Sequence, residues 1–394
     1  MTEFSENIAA LQPSATIAVS SRAKQLRAEG RDIIDLCVGE PDFPTPRFIA
    51  DAGVEAIRAG HTRYTPAPGI PELRAAIAAD LQRLSPGAGD IEAHGIVVSA
   101  GAKQALFNVC FSLFGPGDRV LIPVPYWTSY PAIVELTRAE PVLVDGDAER
   151  SFKVTVDALD RAAAGGAKGL LLNSPGNPSG AVYTKDELEE IARWAADRGI
   201  WLISDEIYRR IYFEGDLAPG ILDLPGELLE RAVLIDGASK AFAMTGWRIG
   251  FSYSAKALAA KVSALQSQTT THAPTPSQHA ALAAYRADPA QLDECRAMQQ
   301  SFNVRKQLLT QLFREKLPDV EFVDPAGAFY LWIATGGLAN AGENSVEVCE
   351  RILQSTGVAL VPGTAFGDDR YLRLSFAASE DTLRDAVNRL ATGL

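Results

Sequence analysis

The chain has 394 residues, of which 47% are hydrophobic and 22% charged, with a formal net charge of -12 and a pI near 5.0. This length predicts two lobes, or one large α/β domain with a satellite, and the composition is that of a globular protein rather than a disordered or membrane protein. The acidic balance argues against nucleic-acid and anionic-membrane surfaces. We therefore expect small molecules and a second copy of the chain as partners.

The amino terminus and the cysteines exclude further classes. Residues 1–10 carry acidic side chains where a secretory signal has a basic region, and no apolar run reaches membrane-spanning length, so we expect a cytoplasmic protein. The histidines and cysteines show no metal-binding or redox spacing, so we expect no metal and four buried thiols. We find no G-x-S-x-G elbow and no complete G-x-G-x-x-G turn, which argues against serine hydrolases and dinucleotide-binding proteins.

The pattern of apolar runs predicts an α/β fold. From residue 46 to residue 285, short runs rich in Val, Ile and Leu alternate with Ala-rich helical stretches, which is typical of a mostly parallel sheet flanked by helices. The predicted strands are residues 96–99, 120–123, 170–173, 201–204, 233–236 and 249–253. Residues 1–45 and 286–394 contain a helix ending near Gly30, a long helical stretch through Arg305, and strands around Phe329 and Leu372. We assign both ends to one smaller α/β domain.

Open α/β sheets bind ligands at the carboxyl ends of their strands, so the polar residues there are considered as one set. After strand 96–99, Gly101 and Ala102 precede a helical run, where free backbone N–H groups and the helix dipole favour an anion. After strand 120–123, the flat ring of Trp127 can stack on an aromatic ligand. Both features are also compatible with a purely structural role.

Two further strands are followed by polar residues. The loop at 173–180 is rich in Pro and Gly, and its Asn177 can offer an amide to a ligand or serve the loop itself. Strand 201–204 leads into Asp205, and Tyr208 would face the same pocket if the turn begins a helix. A buried carboxylate needs a hydrogen-bonding or cationic partner, such as a protonated ring nitrogen. The alternative is a helix N-cap at Asp205 and a packing role for Tyr208.

Lys240 follows the apolar strand at 233–236, and Arg248 follows eight residues later. Burial would lower the pKa of this amine and let it form a Schiff base with an aldehyde, while the arginine suits a phosphate. An aldehyde with a phosphate describes pyridoxal phosphate, which acidifies the α-carbon of an amino acid. The alternative is a surface lysine and a structural arginine.

The last predicted strand, around Leu372, alternates apolar and polar residues, so that Arg373 and Ser375 share one face. The planar guanidinium of Arg373 can bind a carboxylate through two parallel hydrogen bonds, which a lysine cannot reproduce. The alternative is a solvated arginine.

Together these segments resemble, almost end to end, the class I aminotransferases of pyridoxal-phosphate fold type I, closest to the bacterial aspartate aminotransferase branch. The resemblance is carried by Pro13-Ser14-Ala15-Thr16, Gly39-Glu40-Pro41-Asp42-Phe43, Tyr64-Thr65-Pro66 with residues 69–74, Val361-Pro362-Gly363 and, most specifically, residues 237–250. It implies a large cofactor-binding domain at residues 46–285, preceded by an N-terminal arm and part of the small domain at 1–45 and followed by the remainder of the small domain at 286–394.

The resemblance also implies residue roles. Lys240 would carry pyridoxal phosphate and shuttle the proton, with Asp205 and Tyr208 on the ring and Trp127 stacked against it. The phosphate would lie on Arg248 and the Gly101-Ala102 turn. Asn177 would contact both cofactor and substrate, and Gly39, Trp127 and Arg373 would complete the substrate site. The family forms homodimers in which the tyrosine matching Tyr64 reaches the partner's cofactor phosphate.

Substrate choice is implied by two positions. Lys103 matches a lysine that meets a distal carboxylate, which favours aspartate as the amino donor, with 2-oxoglutarate as the acceptor. Gln12 departs from relatives that carry a lysine before the same motif and also accept prephenate. The alternatives left open are an aminotransferase for prephenate or for aromatic or neutral amino acids, and a β-lyase on the same scaffold.

Overall fold

The computed structural model describes residues 4–9, 11 and 15–393. Its strands in chain order are β1 (Ile34–Asp35), β2 (Ile96–Ser99), β3 (Arg119–Val124), β4 (Glu140–Asp145), β5 (Gly169–Asn173), β6 (Trp201–Asp205), β7 (Ala232–Gly237), β8 (Gly250–Tyr253), β9 (Phe322–Val323), β10 (Tyr330–Ala334), β11 (Val358–Ala359), β12 (Val361–Pro362) and β13 (Tyr371–Ser375).

The α-helices of the same residues cover the faces of these sheets. They are α1 (Glu6–Ala9), α2 (Ala15–Ala28), α3 (Arg47–Arg58), α4 (Pro71–Leu84), α5 (Ala102–Leu113), α6 (Tyr130–Leu136), α7 (Val156–Ala163), α8 (Lys185–Asp197), α9 (Ala238–Ala241), α10 (Lys256–Gln268), α11 (Thr275–Arg286), α12 (Asp293–Lys316), α13 (Ser345–Thr356) and α14 (Glu380–Gly393). No helix of these described residues is both long enough and apolar enough to cross a membrane.

The largest sheet has seven strands in the order β2-β8-β7-β6-β5-β3-β4, and only β8 runs antiparallel to its neighbours. Strands such as β2 and β7 are buried along their whole length, because helices cover both faces of the sheet. Each of the six predicted strands agrees with an observed strand to within one residue at either end. The predicted α/β fold with a mostly parallel sheet is therefore confirmed.

A smaller body is built from both ends of the chain. Strands β12-β13-β10-β9 form an antiparallel sheet, and β1 pairs in parallel with β11 so that Ile34 lies beside Val358. Leu36 and Leu390 belong to one apolar cluster together with Phe302 of α12. The residue boundaries at 45/46 and 285/286 stay a prediction.

The large sheet places the polar residues at one edge. Because β5, β6 and β7 are parallel and in register, Asn173 lies beside Asp205, and Asp205 lies beside Ile235. Strand β7 then leads directly into α9, which carries Lys240. The carboxyl ends of three neighbouring strands thus bring a carboxylate, an amide and an amine together.

Candidate active site

A cavity of about 320 Å³ lies at this carboxyl edge, between the large sheet and the smaller body. Most of the predicted site residues line it: Gly39, Ala102, Lys103, Trp127, Asn177, Asp205, Tyr208, Lys240, Arg248 and Arg373. Gly101 lies just behind the lining, against Arg248. Tyr64 lies outside the cavity, 88% exposed, with its ring 5.6 Å from that of His272.

Another cavity of similar volume, about 340 Å³, lies at the opposite edge of the large sheet, beside Gly95 and Ala232. Its lysine, Lys256, is exposed, and its histidine, His94, is 42% exposed and 3.0 Å from Glu92. Exposed charged groups of this kind keep ordinary solvation and have little reason to react. The carboxyl edge is therefore the candidate active site.

Lys240 is a half-buried side chain at the centre of the site. Its Nζ donates to the carbonyl oxygen of Gly39 at 2.5 Å and lies 5.9 Å from the ring centres of Tyr208 and Phe329. Burial lowers the pKa of Lys240 from its ordinary 10.5 to about 8, and Glu40 opposes this shift only in part. The unprotonated, nucleophilic form of the amine is therefore far more populated near neutral pH than in a lysine with its ordinary pKa.

Asp205 is a buried carboxylate whose two oxygens have different partners. Its Oδ2 accepts from the hydroxyl of Tyr130 at 2.8 Å, and its Oδ1 accepts from the backbone N–H of Ile207 at 3.2 Å. Burial raises the pKa of Asp205 to about 6, and these hydrogen bonds and the Lys240 charge offset only part of that rise. A cationic partner inside the cavity would favour its charged form.

The chain after Asp205 does not begin a helix, so the alternative of a helix N-cap at Asp205 is wrong. The N–H of Glu206 still bonds to the carbonyl of Ile235 in β7 at 2.9 Å, which keeps the chain in the sheet for one more residue. Residues 207–210 then form a turn, closed by the N–H of Ile211 on the carbonyl of Tyr208 at 2.7 Å. The turn still brings Tyr208 into the cavity, and Asp205 caps the turn with one oxygen only.

The start of α5 and Arg248 lie together at one end of the site. A Cβ added at Gly101 would lie 2.3 Å from Nη2 of Arg248, and the φ of Gly101 is +89°. Glycine is needed here both for this backbone conformation and for the close approach of the guanidinium to the helix N-terminus. Arg248 lies at the exposed side of the cavity, and its Nη1 donates to the carbonyl of Thr245 at 2.9 Å. The pair suits a phosphate open to solvent on one side.

Arg373 is 2% exposed, so the alternative of a solvated arginine is wrong. Its Nη1 donates to Oδ1 of Asn177 at 3.0 Å, and its Nη2 donates to the carbonyl of Cys37 at 2.5 Å. Its Nε is buried and has no hydrogen-bond partner within the described part of the chain. Two neutral oxygens leave this buried cation poorly compensated, which a carboxylate would remedy.

Lys103 and Trp127 lie together on one side of the cavity, with Nζ 4.8 Å from the ring centre. Burial, and then the charge of Arg248, lower the pKa of Lys103. Lys103 therefore adds a further cationic side chain to the cavity that already contains Arg248 and Arg373, next to the ring that is expected to stack.

Several lining residues were missed by the sequence analysis: Thr128, Tyr130, Asn173, Ile207, Ser239 and Tyr330. Asn173 and Ser239 adjoin predicted elements, so their positions at strand ends were a usable signal. Tyr130 and Tyr330 are buried aromatic residues, which the sequence pattern does not distinguish from core residues. The four cysteines are buried and unpaired, as predicted.

The mostly parallel sheet, with Lys240 and the buried Arg373 in one cavity at its carboxyl edge, is the arrangement expected of an aminotransferase that binds pyridoxal phosphate, and the comparisons with known proteins support this class. Residues 31–390 match the family "Aminotransferase class I and II", and the chain belongs to this family. The predicted enzyme class, an aminotransferase, is confirmed.

Several relatives of the chain are named aspartate or aspartate/prephenate aminotransferases. The chain is 38% identical to the aspartate aminotransferase of Streptomyces avermitilis, over 98% of this chain and 95% of the relative. It is 39% identical to a probable aspartate/prephenate aminotransferase of Thermus aquaticus over the full length of both. The structure of the Thermus thermophilus aspartate aminotransferase with maleate superposes with a TM-score of 0.94 at 37% identity, covering all of both chains. The predicted architecture of the family is thereby confirmed.

Proposed function

We propose that the chain catalyses transamination between L-aspartate and 2-oxoglutarate, using pyridoxal phosphate bound in the cavity. The observation that carries the proposal is that Lys240, with its lowered pKa, and the buried, poorly compensated Arg373 line the same cavity. The first group suits an aldehyde and the second suits the α-carboxylate of an amino acid.

The residues present fit the cofactor. Lys240 would bind its aldehyde, the Arg248 and Gly101 end would hold its phosphate, and Trp127 would stack on its ring. Asp205, whose pKa is raised to about 6 by burial, would gain a cationic partner in the protonated ring nitrogen. When bound, pyridoxal phosphate supplies an electron sink that acidifies the substrate α-carbon.

The chain's own side chains account for the remaining steps. Arg373 and Asn177 would bind the α-carboxylate and orient the bond to the α-hydrogen. Lys240 Nζ would take the proton from the substrate α-carbon and deliver it to the aldehyde carbon of the cofactor. This transfer contributes roughly 10²- to 10⁴-fold to the rate. Asp205 would keep the proton on the ring nitrogen, and Tyr208 would donate its hydroxyl hydrogen to the ring oxygen.

Lys103 supports a dicarboxylic donor, because it places a cationic side chain on the cavity wall beside Trp127. The names of the relatives point the same way. Gln12, which bears on prephenate, lies outside the described residues.

A panel of amino donors with 2-oxoglutarate tests the proposal: aspartate should be the best donor. Preferred turnover of aromatic or neutral donors, or ammonia release without oxo-acid dependence, would overturn it in favour of the alternatives.

Arg373 and Lys103 should affect different sets of donors. Arg373→Lys keeps the charge but loses the bidentate geometry, so kcat/KM should fall for aspartate, glutamate and alanine alike. Lys103→Ala should harm only dicarboxylic donors, by about tenfold or more, as expected for a charged contact of roughly 1.5 to 3 kcal/mol. Equal losses for aspartate and alanine in Lys103→Ala would contradict the distal-carboxylate role.

The lowered pKa of Lys240 predicts when its amine reacts. Only the unprotonated amine attacks an aldehyde, so cofactor attachment to Lys240 should accelerate as pH rises and level off above about 8. Stopped-flow absorbance after mixing ligand-free protein with pyridoxal phosphate measures this rate, with Lys240→Met as the control. A rate that keeps rising above pH 8 and levels off only around the ordinary pKa of 10.5 would contradict the lowered pKa.

We also propose a cytoplasmic homodimer in which Tyr64 completes the partner's site, since its 88% exposed side chain lies outside its own cavity. The Tyr64→Ala protein and the Lys240→Ala protein should each have low transamination activity. Refolding a mixture of the two proteins should restore part of the activity. The reason is that a mixed dimer contains one site with Lys240 from one protomer and Tyr64 from the other. Activity of the mixture that equals the mean of the two separate variants would contradict sharing.

A further inference from the structure

Tyr330 joins two parts of the site that the reaction uses separately. It is fully buried on β10, which pairs with β13, the strand that carries Arg373. Its ring centre lies 4.4 Å from the guanidinium carbon of Arg373, and its hydroxyl lies 2.7 Å from the hydroxyl of Tyr208. One side chain therefore contacts both the expected carboxylate-binding arginine and the tyrosine expected at the cofactor ring.

We infer that Tyr330 is a positioning residue that holds Arg373 for the substrate carboxylate and, through Tyr208, links that carboxylate to the cofactor's ring oxygen. The inference rests on the proposed function and deepens it, because Tyr330 would act through its contacts with Arg373 and Tyr208. It assigns to a strand residue of the smaller body a role in the chemistry at the edge of the large sheet.

The contacts around Arg373 explain the first half of the role. Asn177 and the Cys37 carbonyl bind its Nη1 and Nη2, and the guanidinium lies over the Tyr330 ring at 4.4 Å, closer than to the Phe366 ring at 5.0 Å. Hydrogen bonds along the edge and a ring against the face fix the plane in which the guanidinium meets a carboxylate. Removing the ring would let that plane tilt.

The hydroxyl pair explains the second half. Burial raises the pKa of both Tyr208 and Tyr330, so both stay protonated and one must donate to the other. If Tyr208 donates to the ring oxygen of the cofactor, Tyr330 donates to Tyr208, and this chain of hydrogen bonds strengthens the Tyr208 donor. The charge of Arg373 makes the Tyr330 hydroxyl a better donor, and a bound carboxylate would reduce that effect.

A pH titration of the absorbance of the protein loaded with pyridoxal phosphate tests the role of the Tyr330 hydroxyl. A hydrogen bond donated to the ring oxygen stabilises the deprotonated form of the bound cofactor and so lowers the pH at which its absorbance changes. Tyr330→Phe would weaken this hydrogen bond and should therefore raise the midpoint of the absorbance titration. One hydrogen bond predicts a rise of about 0.3 to 1 pH unit. Tyr371→Phe, which removes a tyrosine hydroxyl outside the cavity on β13, should leave the midpoint unchanged. A midpoint in Tyr330→Phe equal to that of the parent would overturn the link to the cofactor.

Binding of succinate, a dicarboxylate, to the same loaded proteins tests whether the Tyr330 ring positions Arg373. Tyr330→Phe keeps the ring and should bind succinate within about twofold of the parent, whereas Tyr330→Leu should bind it about 2- to 30-fold more weakly. Equal affinity in Tyr330→Leu, with its fold verified by circular dichroism, would overturn the positioning of Arg373. If the parent protein transaminates no donor, the proposed function fails, while the titration and the succinate affinities still decide the role of Tyr330.

Discussion

A Lys240→Ala variant is expected to lose transamination by at least 10²- to 10⁴-fold, because it lacks both the amine that binds the cofactor aldehyde and the base that moves the α-proton. The fold should survive, since the Nζ of Lys240 makes one hydrogen bond, to Gly39, and its burial disfavours the charged form. The variant should still bind pyridoxal phosphate noncovalently through Asp205 and Arg248. Steady-state assays with aspartate and 2-oxoglutarate measure the loss.

Chemical trapping locates the attachment. Borohydride reduction of the loaded parent should place the pyridoxyl group on Lys240 in peptide maps, and Lys240→Ala should carry none. Lys256→Ala is the matched control, because it removes an exposed lysine distant from the cavity and should keep full activity. A pyridoxyl group on another lysine of the parent, or none after loading, would sink the assignment.

The second large effect is expected for Asp205→Asn. Asparagine has nearly the same shape and can still accept from Ile207, but it cannot hold a proton on the cofactor's ring nitrogen by charge. Single-turnover rates at saturating cofactor and substrate should fall by about 10²-fold or more, which corresponds to at least roughly 2.7 kcal/mol of transition-state stabilisation. An unchanged rate would make this role untenable.

Stability measurements separate this role from simple capping. The folded-state pKa of Asp205 is raised to about 6, so its carboxyl contributes stability that is full below its ordinary pKa of 3.8 and is lost as pH rises through 6. Near neutral pH the ligand-free Asp205→Asn protein should therefore be at least as stable as the parent. Asp205→Ala should be less stable than Asp205→Asn by about 0.5 to 1.5 kcal/mol, since it removes the acceptor of the Ile207 N–H hydrogen bond that closes the turn.

Much of the fold and part of the site were predictable from the sequence, because they depend on the residue pattern within each strand. A buried parallel strand must be apolar on both faces, so β2, β3, β5, β6 and β7 stand out as continuous apolar runs. Ligands bind where such strands end, so Asp205, Asn177 and Lys240 could be selected from their places in the chain. The resemblance to the aminotransferases then supplied the roles expected of them.

Other features depend on contacts between distant parts of the chain. The turn after Asp205 follows from one more hydrogen bond to β7, and the burial of Arg373 depends on Cys37 and Asn177, which are 336 and 196 residues away. Tyr330 is an ordinary core residue by its pattern, and only strand pairing and packing place it against Arg373 and Tyr208. Sequence by itself determined which residues end the strands, because burial acts on each strand separately. Tertiary structure alone decided which side chains share the cavity, because that depends on how separately folded segments meet.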